Sequence, residues 1–291
     1  MLDFKKRKSE KLHDEAEELY QSGGDEDKII SMYLQALQLN EKRAATHYNL
    51  GLVYKYRGEW DKSLSYNKRA HELNPMDESA IWNWGIAATA LENWNEARIA
   101  WKKYGINIID GNGEVIVDYG LNPVRLYNDN EDGEVVWGNR IDPARIQIEN
   151  IPLPKSGYRY QDIVLNDGAP NGYRISDGNE YPVFDMLELL SRSDFNTFTM
   201  KLRLNNAENI EDITEKAEKK DIKIEDWTTH IQDICTECSE GTVDQDKVSA
   251  VADLLERDVG IAAIDEREVK EFIDCLKEYK EIEILSFEKS L

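Results

Sequence analysis

The stretch from Ala44 to Asp77 reads AATHYNLGLVYKYRGEWDKSLSYNKRAHELNPMD, and it decides the fold of the first third of the chain. Gly58 lies near its centre, where a glycine supplies the backbone freedom that a tight turn needs. Pro75 comes near its end, where a proline stops further helix growth. The stretch therefore predicts two helices joined by a turn.

The same pattern recurs on both sides of this stretch with a period of 34 residues. A fixed period of this length indicates a repeat architecture, in which each unit buries its apolar face against its neighbours. The chain therefore begins with repeats, and these residue pairs carry the period: Tyr20 and Tyr54, Gly24 and Gly58, Ala36 and Ala70, Leu39 and Leu73, Asn40 and Asn74, Gly51 and Gly85, Trp60 and Trp94.

Small and large residues alternate at the repeated positions in a way that suits helix packing. Gly51 and Gly85 have no side chain, so a neighbouring helix can approach their backbone closely. Leu50 and Tyr54 are large enough to fill the remaining gaps. This combination predicts pairs of closely packed helices.

These residues resemble the tetratricopeptide repeat family. The resemblance is closest in the second repeat, Ala44 to Asp77, and covers a first repeat from Glu10 to Arg43 and a third from Glu78 to about Asp110. The third repeat has no closing proline and is expected to end the stack near Gly105. The resemblance implies a helical domain over residues 1–110 built from three stacked hairpins.

The resemblance also implies a concave groove lined by the first helix of each repeat. Its middle would be aromatic, its first end would be acidic, and its role would be to bind a peptide or a helix of another protein. The residues carried over to this groove are Asp14, Glu18, Tyr48, Asn49, Leu52, Lys55, Tyr56, Trp82, Asn83 and Ile86.

The same positions bear on two other uses of the groove, a clamp for a C-terminal carboxylate and a brace for the second part of the chain. Some family members clamp a C-terminal carboxylate with Lys and Asn, but this chain has Asp14 and Glu18 at the first positions of that clamp and Ser79 and Asn83 at the last. We therefore expect no carboxylate clamp. Because three repeats can also brace a larger domain, the chain's own second part is an alternative occupant.

The pattern changes after Gly105. Short apolar runs separated by turn sequences predict a β-rich domain over residues 111–194, arranged as a small antiparallel sheet or barrel. The runs are Glu114–Tyr119, Val124–Tyr127, Glu134–Trp137, Ala144–Ile148, Gln161–Leu165, Gly172–Ile175 and Pro182–Leu190.

Residues 195–291 follow the order strand–helix–strand twice, which predicts a ferredoxin-like α/β sandwich. The layout as a whole resembles that of bacterial proteins with an N-terminal tetratricopeptide module. The predicted strands are Phe195–Leu204, Ile222–Trp227, Gly260–Ile264 and Ile282–Phe287, and the predicted helices are Ile210–Lys220, Lys247–Arg257 and Glu266–Tyr279.

The negative charge of the chain belongs to its second part. The net charge is −22; residues 1–104 hold 16 basic and 17 acidic side chains, which leaves 20 basic and 41 acidic ones in residues 105–291. Such a field repels nucleic acid and anionic membranes and attracts a basic protein. The basic N-terminus lacks the apolar stretch of a signal peptide, so we expect a cytoplasmic protein.

One group of side chains could carry chemistry. Cys235 and Cys238 have a spacing that can chelate zinc, His230 is close enough in sequence to be a third ligand, and a fold that brought Cys275 near could add a fourth. Against this, the apolar neighbours of Cys275 favour a core position, and ordinary thiols in an acidic loop explain the motif as well. No nucleophile elbow, phosphate loop or dinucleotide fingerprint is present in the sequence.

The sequence therefore predicts an adaptor rather than an enzyme, with no cofactor. The repeat groove would bind a protein or peptide, and the acidic second part would dock another surface. The alternative is an acidic inhibitor or immunity-type protein that covers a basic partner such as a nuclease. A zinc or thiol site at His230, Cys235 and Cys238 is the remaining hypothesis.

Overall fold

A computed structural model describes residues 2–127, 133–176, 178–230, 240–241 and 254–291. The chain divides into two compact units. The first, called the repeat unit below, contains residues 1–117 with 142–144, and the second, called the sheet unit, contains residues 118–141 with 145–291. The predicted division into domains at residues 110 and 194 stays a prediction.

The repeat unit is helical from residue 2 to residue 104, as the 34-residue period predicts. Each repeat is a hairpin, and Gly58 in the middle hairpin adopts the left-handed backbone that its turn requires, with φ +67°. Asp25, Asp77 and Asn93 cap the helices that follow them by accepting a hydrogen bond from a backbone N–H. The helices are α1 (Leu2–Gln21), α2 (Glu26–Leu39), α3 (Ala44–Tyr56), α4 (Trp60–Leu73), α5 (Glu78–Ala90) and α6 (Trp94–Tyr104).

Glycines set the distance between the two helices of a hairpin, as their spacing predicts. A Cβ atom at Gly85 would lie 2.4 Å from the indole ring of Trp101, which is completely buried. In the preceding repeat, a Cβ atom at Gly51 would lie 2.4 Å from the Asn67 side chain. Neither position has room for a methyl group, so the hairpins depend on glycine there.

The stack ends at Tyr104, and Gly105 follows in a left-handed conformation with φ +101°. The predicted strand over 114–119 is wrong, because the first strand starts at Leu121. Left-handed backbone at Asp118 and Gly120, with φ of +61° and +74°, is incompatible with a continuous extended strand.

The first sheet of the sheet unit confirms that strands follow the helical repeats. Its strand order is β3-β2-β1-β5-β4-β8, and β3 also pairs with β4. β1 is antiparallel to β2 and parallel to β5, and β4 and β5 form a long antiparallel hairpin. The strands are β1 (Leu121–Tyr127), β2 (Gly133–Asp142), β3 (Arg145–Ile148), β4 (Ile163–Ser176), β5 (Asn179–Ser191) and β8 (Glu240–Gly241).

The second sheet has the order β10-β6-β9-β7 and is antiparallel at every pairing. Residues 247–253 of the predicted helix over 247–257 lie outside the described residues, and its last two residues begin β9 instead. Apolar residues of α7 and α9 share one buried cluster with this sheet. The elements are β6 (Asn196–Leu204), α7 (Asn209–Glu218), β7 (Lys223–Asp226), α8 (Trp227–His230), β9 (Glu256–Ala263), α9 (Glu266–Leu276) and β10 (Ile282–Lys289).

We expect the substitution Gly85→Ala to destabilise the repeat unit. The added methyl group must displace the Trp101 ring, and overpacking of this kind costs about 1–3 kcal/mol. Urea denaturation of the full chain, followed by far-UV circular dichroism, measures the change. Gly113→Ala is the control, since a Cβ atom there meets nothing within 4 Å. Equal stabilities of the two variants would show that the Gly85–Trp101 contact does not constrain the hairpin.

Candidate functional site

The middle of the predicted groove lies on α3. Tyr48, Asn49 and Leu52 are partly exposed there, and Tyr56, at the end of the helix, is 52% exposed. The Asn49 amide donates a hydrogen bond of 3.0 Å to the Tyr33 hydroxyl. These side chains give α3 an accessible surface that is partly aromatic and partly polar.

Other predicted groove residues are in the interior. Lys55 is 3% exposed, with its Nζ 3.4 Å from Asn83 Oδ1 and 4.4 Å from the centre of the Tyr56 ring. Asn83 is 5% exposed, and Ile86 is completely buried. The expectation that these three side chains present themselves on the surface is therefore corrected.

The sequence of α5 contains the signal for this burial. After Glu78 the helix reads SAIWNWGIAATA, which contains no charged residue. A helix that lacks a polar face is buried on all sides rather than on one stripe. Consistent with this, each residue from Ala80 to Thr89 except Trp82 is buried.

Trp82 is partly exposed and packs on the last helix of the stack. Its ring lies edge-on to two aromatic rings of α6, with centroids 5.1 Å from Trp101 and 4.6 Å from Tyr104. Such edge-to-face pairs stabilise aromatic clusters. Trp82 therefore has a structural role in addition to its predicted role in binding.

The acidic end of the groove lies on α1. Asp14 and Glu18 are exposed. The Arg43 guanidinium lies 3.6 Å from the carboxylates of both Glu10 and Asp14, so it offsets part of the negative charge. Glu18 is one turn further along α1, and it extends the acidic surface beyond this ion pair.

His13 connects α1 to α3 beneath this surface. It is 4% exposed, and its Nδ1 lies 3.0 Å from the Thr46 hydroxyl. Burial lowers the pKa of the imidazole, and the nearby Arg43 guanidinium lowers it further, whereas Glu17 and Asp14 oppose the shift. The folded repeat unit therefore favours neutral His13.

The sheet unit contains a cleft with a volume of about 850 Å³. Among the described residues that line it, seven are acidic and two are basic, so the cleft carries a concentrated negative charge. Arg257 is buried within hydrogen-bonding reach of β7, with its guanidinium 3.4 Å from the Asp226 carboxylate. The acidic lining residues are Glu149, Glu208, Glu211, Glu215, Glu218, Glu225 and Asp226.

The hypothesis of a zinc or thiol site receives no support from the described residues. Cys235 and Cys238 lie outside them, and of His230 only the backbone, at the end of α8, is described. The described part of the chain contains no group of three His, Cys, Asp or Glu side chains that could hold a metal ion. Cys275 is exposed on α9, so its predicted core position is wrong; the helix buries Phe272, Ile273 and Leu276 instead.

Comparison with known proteins supports the interpretation of the helical repeats. The family model for the tetratricopeptide repeat matches residues 44–77, so this hairpin is a tetratricopeptide repeat. Stacked repeats of this kind form extended concave surfaces for binding other proteins. Within the described residues, no helix combines the length and the apolarity that crossing a membrane would require.

Curated relatives match the chain over part of its length. The photosystem I assembly protein Ycf3 of Prochlorococcus marinus strain SARG is 37% identical over 79 residues, which are 27% of this chain and 38% of that protein. The protein of the same name from strain MIT 9211 is 36% identical over 64 residues, 22% of this chain and 32% of the relative. The chain thus spans 32–38% of the length of these relatives.

A solved structure also matches the helical part. It is the second tetratricopeptide domain of Spaghetti (RPAP3) bound to the HSP90 peptide SRMEEVD, with 18% identity and a TM-score of 0.32. The match covers 34% of this chain and 91% of that domain.

The stability of the repeat unit is expected to fall on acidification, with a contribution from His13. Because its pKa is lower in the folded than in the unfolded state, the unfolded state binds the proton first. The stability that neutral His13 contributes is present above its ordinary pKa of 6.5 and is lost as the pH falls through its lower folded-state pKa. His13→Asn, which stays neutral and keeps a polar atom toward Thr46, should lose less stability between pH 7.5 and pH 5.5 in urea denaturation.

The exposed residue Gln21, also on α1, provides the control. Gln21→Asn should lose as much stability on acidification as the unaltered chain does. If His13→Asn behaved in the same way, protonation of His13 would not contribute to the acid sensitivity of the fold.

Proposed function

We propose that this chain is a cytoplasmic adaptor that binds a peptide or helix along the accessible surface of α1 and α3. The tetratricopeptide repeat over residues 44–77 is the observation that carries the proposal. Tyr48 and Tyr56 supply aromatic side chains of the type that dominates binding energy at protein interfaces. Trp82 extends this aromatic surface on α5, and Glu18 gives it an acidic end.

The groove is tested by removing the two tyrosines on the accessible surface of α3. Tyr48→Ala combined with Tyr56→Ala should weaken binding of a partner captured from the native cell at least about tenfold, because truncating an aromatic anchor can cost 2 kcal/mol or more. Isothermal titration calorimetry with the purified partner measures the change. Trp82 is left unaltered because it packs on Trp101 and Tyr104.

The matched control removes two exposed apolar side chains elsewhere on the repeat unit. Met76 is 86% exposed in the turn after α4, and Ile99 is 44% exposed on α6. Met76→Ala combined with Ile99→Ala should leave the affinity unchanged. A partner that binds all three forms of the chain equally would contradict binding through the α1–α3 surface.

We infer that the acidic cleft of the sheet unit is a second docking surface, for a basic protein. Its excess of negative side chains is the supporting observation, since such a field accelerates association with a positively charged partner. The same cleft supports the alternative of an acidic inhibitor that covers a basic partner such as a nuclease. An adaptor would hold both partners at once, whereas an inhibitor would abolish the activity of the basic one.

The cleft is tested with two variants that change the net charge equally. Glu211→Lys combined with Glu215→Lys alters the lining of the cleft, whereas Glu268→Lys combined with Glu271→Lys alters exposed positions of α9. With a basic nuclease as probe, the first variant should associate more slowly and depend less on salt concentration than the second, as measured by stopped flow. Identical rates for both variants would mean that overall charge, and not the cleft, attracts the partner.

We also infer the finer architecture of the strand-rich part. The order β10-β6-β9-β7 with α7 and α9 supports a ferredoxin-like sandwich over residues 195–291. The pairing of β3 with both β2 and β4 supports a small barrel in the domain over residues 111–194. With the repeat domain over residues 1–110, the chain would then contain three domains.

A further inference from the structure

The chain contains two Asn–Gly pairs, Asn112–Gly113 and Asn171–Gly172. Asparagine is chemically labile, and it is most labile before glycine, because a following residue without a side chain leaves its backbone nitrogen open to attack the asparagine amide. Whether such a pair reacts in a folded protein depends on how firmly its groups are held. The two pairs of this chain differ in that respect.

Asn112–Gly113 lies in a turn that follows the helical repeats. Both residues are exposed and lie outside helices and strands, where the backbone bends. Among the described residues, no hydrogen bond holds the Asn112 side chain or the Gly113 N–H. A Cβ atom at Gly113 would meet nothing within 4 Å, so the Asn112 side chain has room to turn toward the Gly113 nitrogen.

The contacts that attach this turn to the last helix lie on either side of the Asn112–Gly113 pair. The Arg98 guanidinium on α6 donates hydrogen bonds to two backbone carbonyls, that of Ile109 at 3.2 Å and that of Glu114 at 2.9 Å. These bonds hold the two ends of the turn on α6. They leave the pair between them unconstrained.

The second pair, Asn171–Gly172 in β4, is held on both sides of the asparagine. The Asn171 amide donates a hydrogen bond of 2.7 Å to the Asp185 carboxylate, and the Asn171 backbone carbonyl accepts one of 3.0 Å from Arg125. Arg125 is buried and also donates to Asp185, at 2.6 Å. Reaction at Asn171 must therefore break a hydrogen bond to a charged group, which is stronger than one between neutral groups.

We propose that Asn112 is a site of spontaneous deamidation. The Gly113 nitrogen attacks the Cγ atom of Asn112, so that a new C–N bond forms and the bond from Cγ to the amide nitrogen breaks. The proton of the Gly113 N–H is transferred to the departing nitrogen, which leaves as ammonia, and the product is a cyclic succinimide. Water then opens the ring at either of its carbonyls and yields aspartate or isoaspartate. The reaction needs no enzyme, oxidant or reductant.

The reaction changes the repeat unit permanently. It adds a negative charge to a turn that already carries Asp110 and Glu114, whereas residues 1–104 are close to neutral, with 17 acidic and 16 basic side chains. The isoaspartate product also lengthens the backbone between the two carbonyls that Arg98 holds. Aged molecules of this chain therefore differ from new ones in the charge and the backbone of this turn.

Peptide mass spectrometry of the full-length chain, incubated in its folded state at pH 8.5, tests the proposal. Asn112 should convert to aspartate and isoaspartate at least about tenfold faster than Asn171, because the Asn171 amide must first leave its carboxylate partner. Conversion of Asn112 should be slower at pH 6.5, since the attacking nitrogen has to lose its proton. In guanidinium chloride, which unfolds the chain, the two sites should react at similar rates.

Two matched variants identify the attacking nitrogen. Gly113→Ala places a methyl group beside that nitrogen and should slow the conversion of Asn112. Gly111→Ala adds the same group on the other side of the asparagine and should leave the rate unchanged. Equal rates at Asn112 and Asn171 in the folded chain would overturn the proposal, as would conversion of Asn112 only after unfolding or a rate that Gly113→Ala does not alter.

Discussion

The indole ring of Trp101 occupies the space that any side chain at position 85 would need, and the Asn67 side chain does the same at Gly51 in the preceding hairpin. A hairpin buries its apolar residues only if its two helices approach closely, and the approach is limited by the largest group between the axes. Glycine at position 85 removes that limit, and the tryptophan fills the gap completely. The period of 34 residues is thus a repeated steric requirement rather than a repeated function.

A similar contact organises the second sheet, although its elements are strands. A Cβ atom at Gly260 in β9 would lie 2.4 Å from the ring of Trp227, so here too a tryptophan lies directly on a glycine backbone. Because the Trp227 indole also donates to the Ile151 carbonyl, the same ring that covers the sheet holds the backbone between β3 and β4. Packing and hydrogen bonding thereby fix the Ile151 backbone, whose N–H donates to Glu225.

The helical repeats could be predicted from the sequence because their cause is local. Gly58, Gly85 and the large residues act within one hairpin, at fixed separations along the chain. The burial of Ile86 could also have been foreseen, since α5 has no charged face after Glu78. The repeat pattern alone does not reveal the burial of Ile86, because it specifies positions along a helix and not how many sides of the helix are covered.

The strand-rich part was harder to predict because its cause is not local. Short apolar runs located most strands, but the parallel pairing of β1 with β5 joins residues some 60 positions apart. Turn-like backbone at Asp118 prevented one predicted strand, and nothing in an apolar run reveals that conformation. The burial of Glu134 could not be foreseen for the same reason: it lies in a predicted strand, and only the tertiary fold covers its side chain and places the Leu153 N–H 3.0 Å from its carboxylate.

Desolvation acts on the two units with opposite consequences. In the repeat unit it lowers the pKa of His13, His47 and His71, so acid works against the fold. In the sheet unit it raises the pKa of Glu134, so base works against the fold. Both effects have one origin, the cost of a buried charge. Burial lowers the pKa of histidine, whose neutral form is deprotonated, and raises the pKa of a carboxyl group, whose neutral form is protonated. At neutral pH the folded chain therefore favours neutral histidines, while the Glu134 carboxyl, with its pKa raised to about 7, is changing its charge.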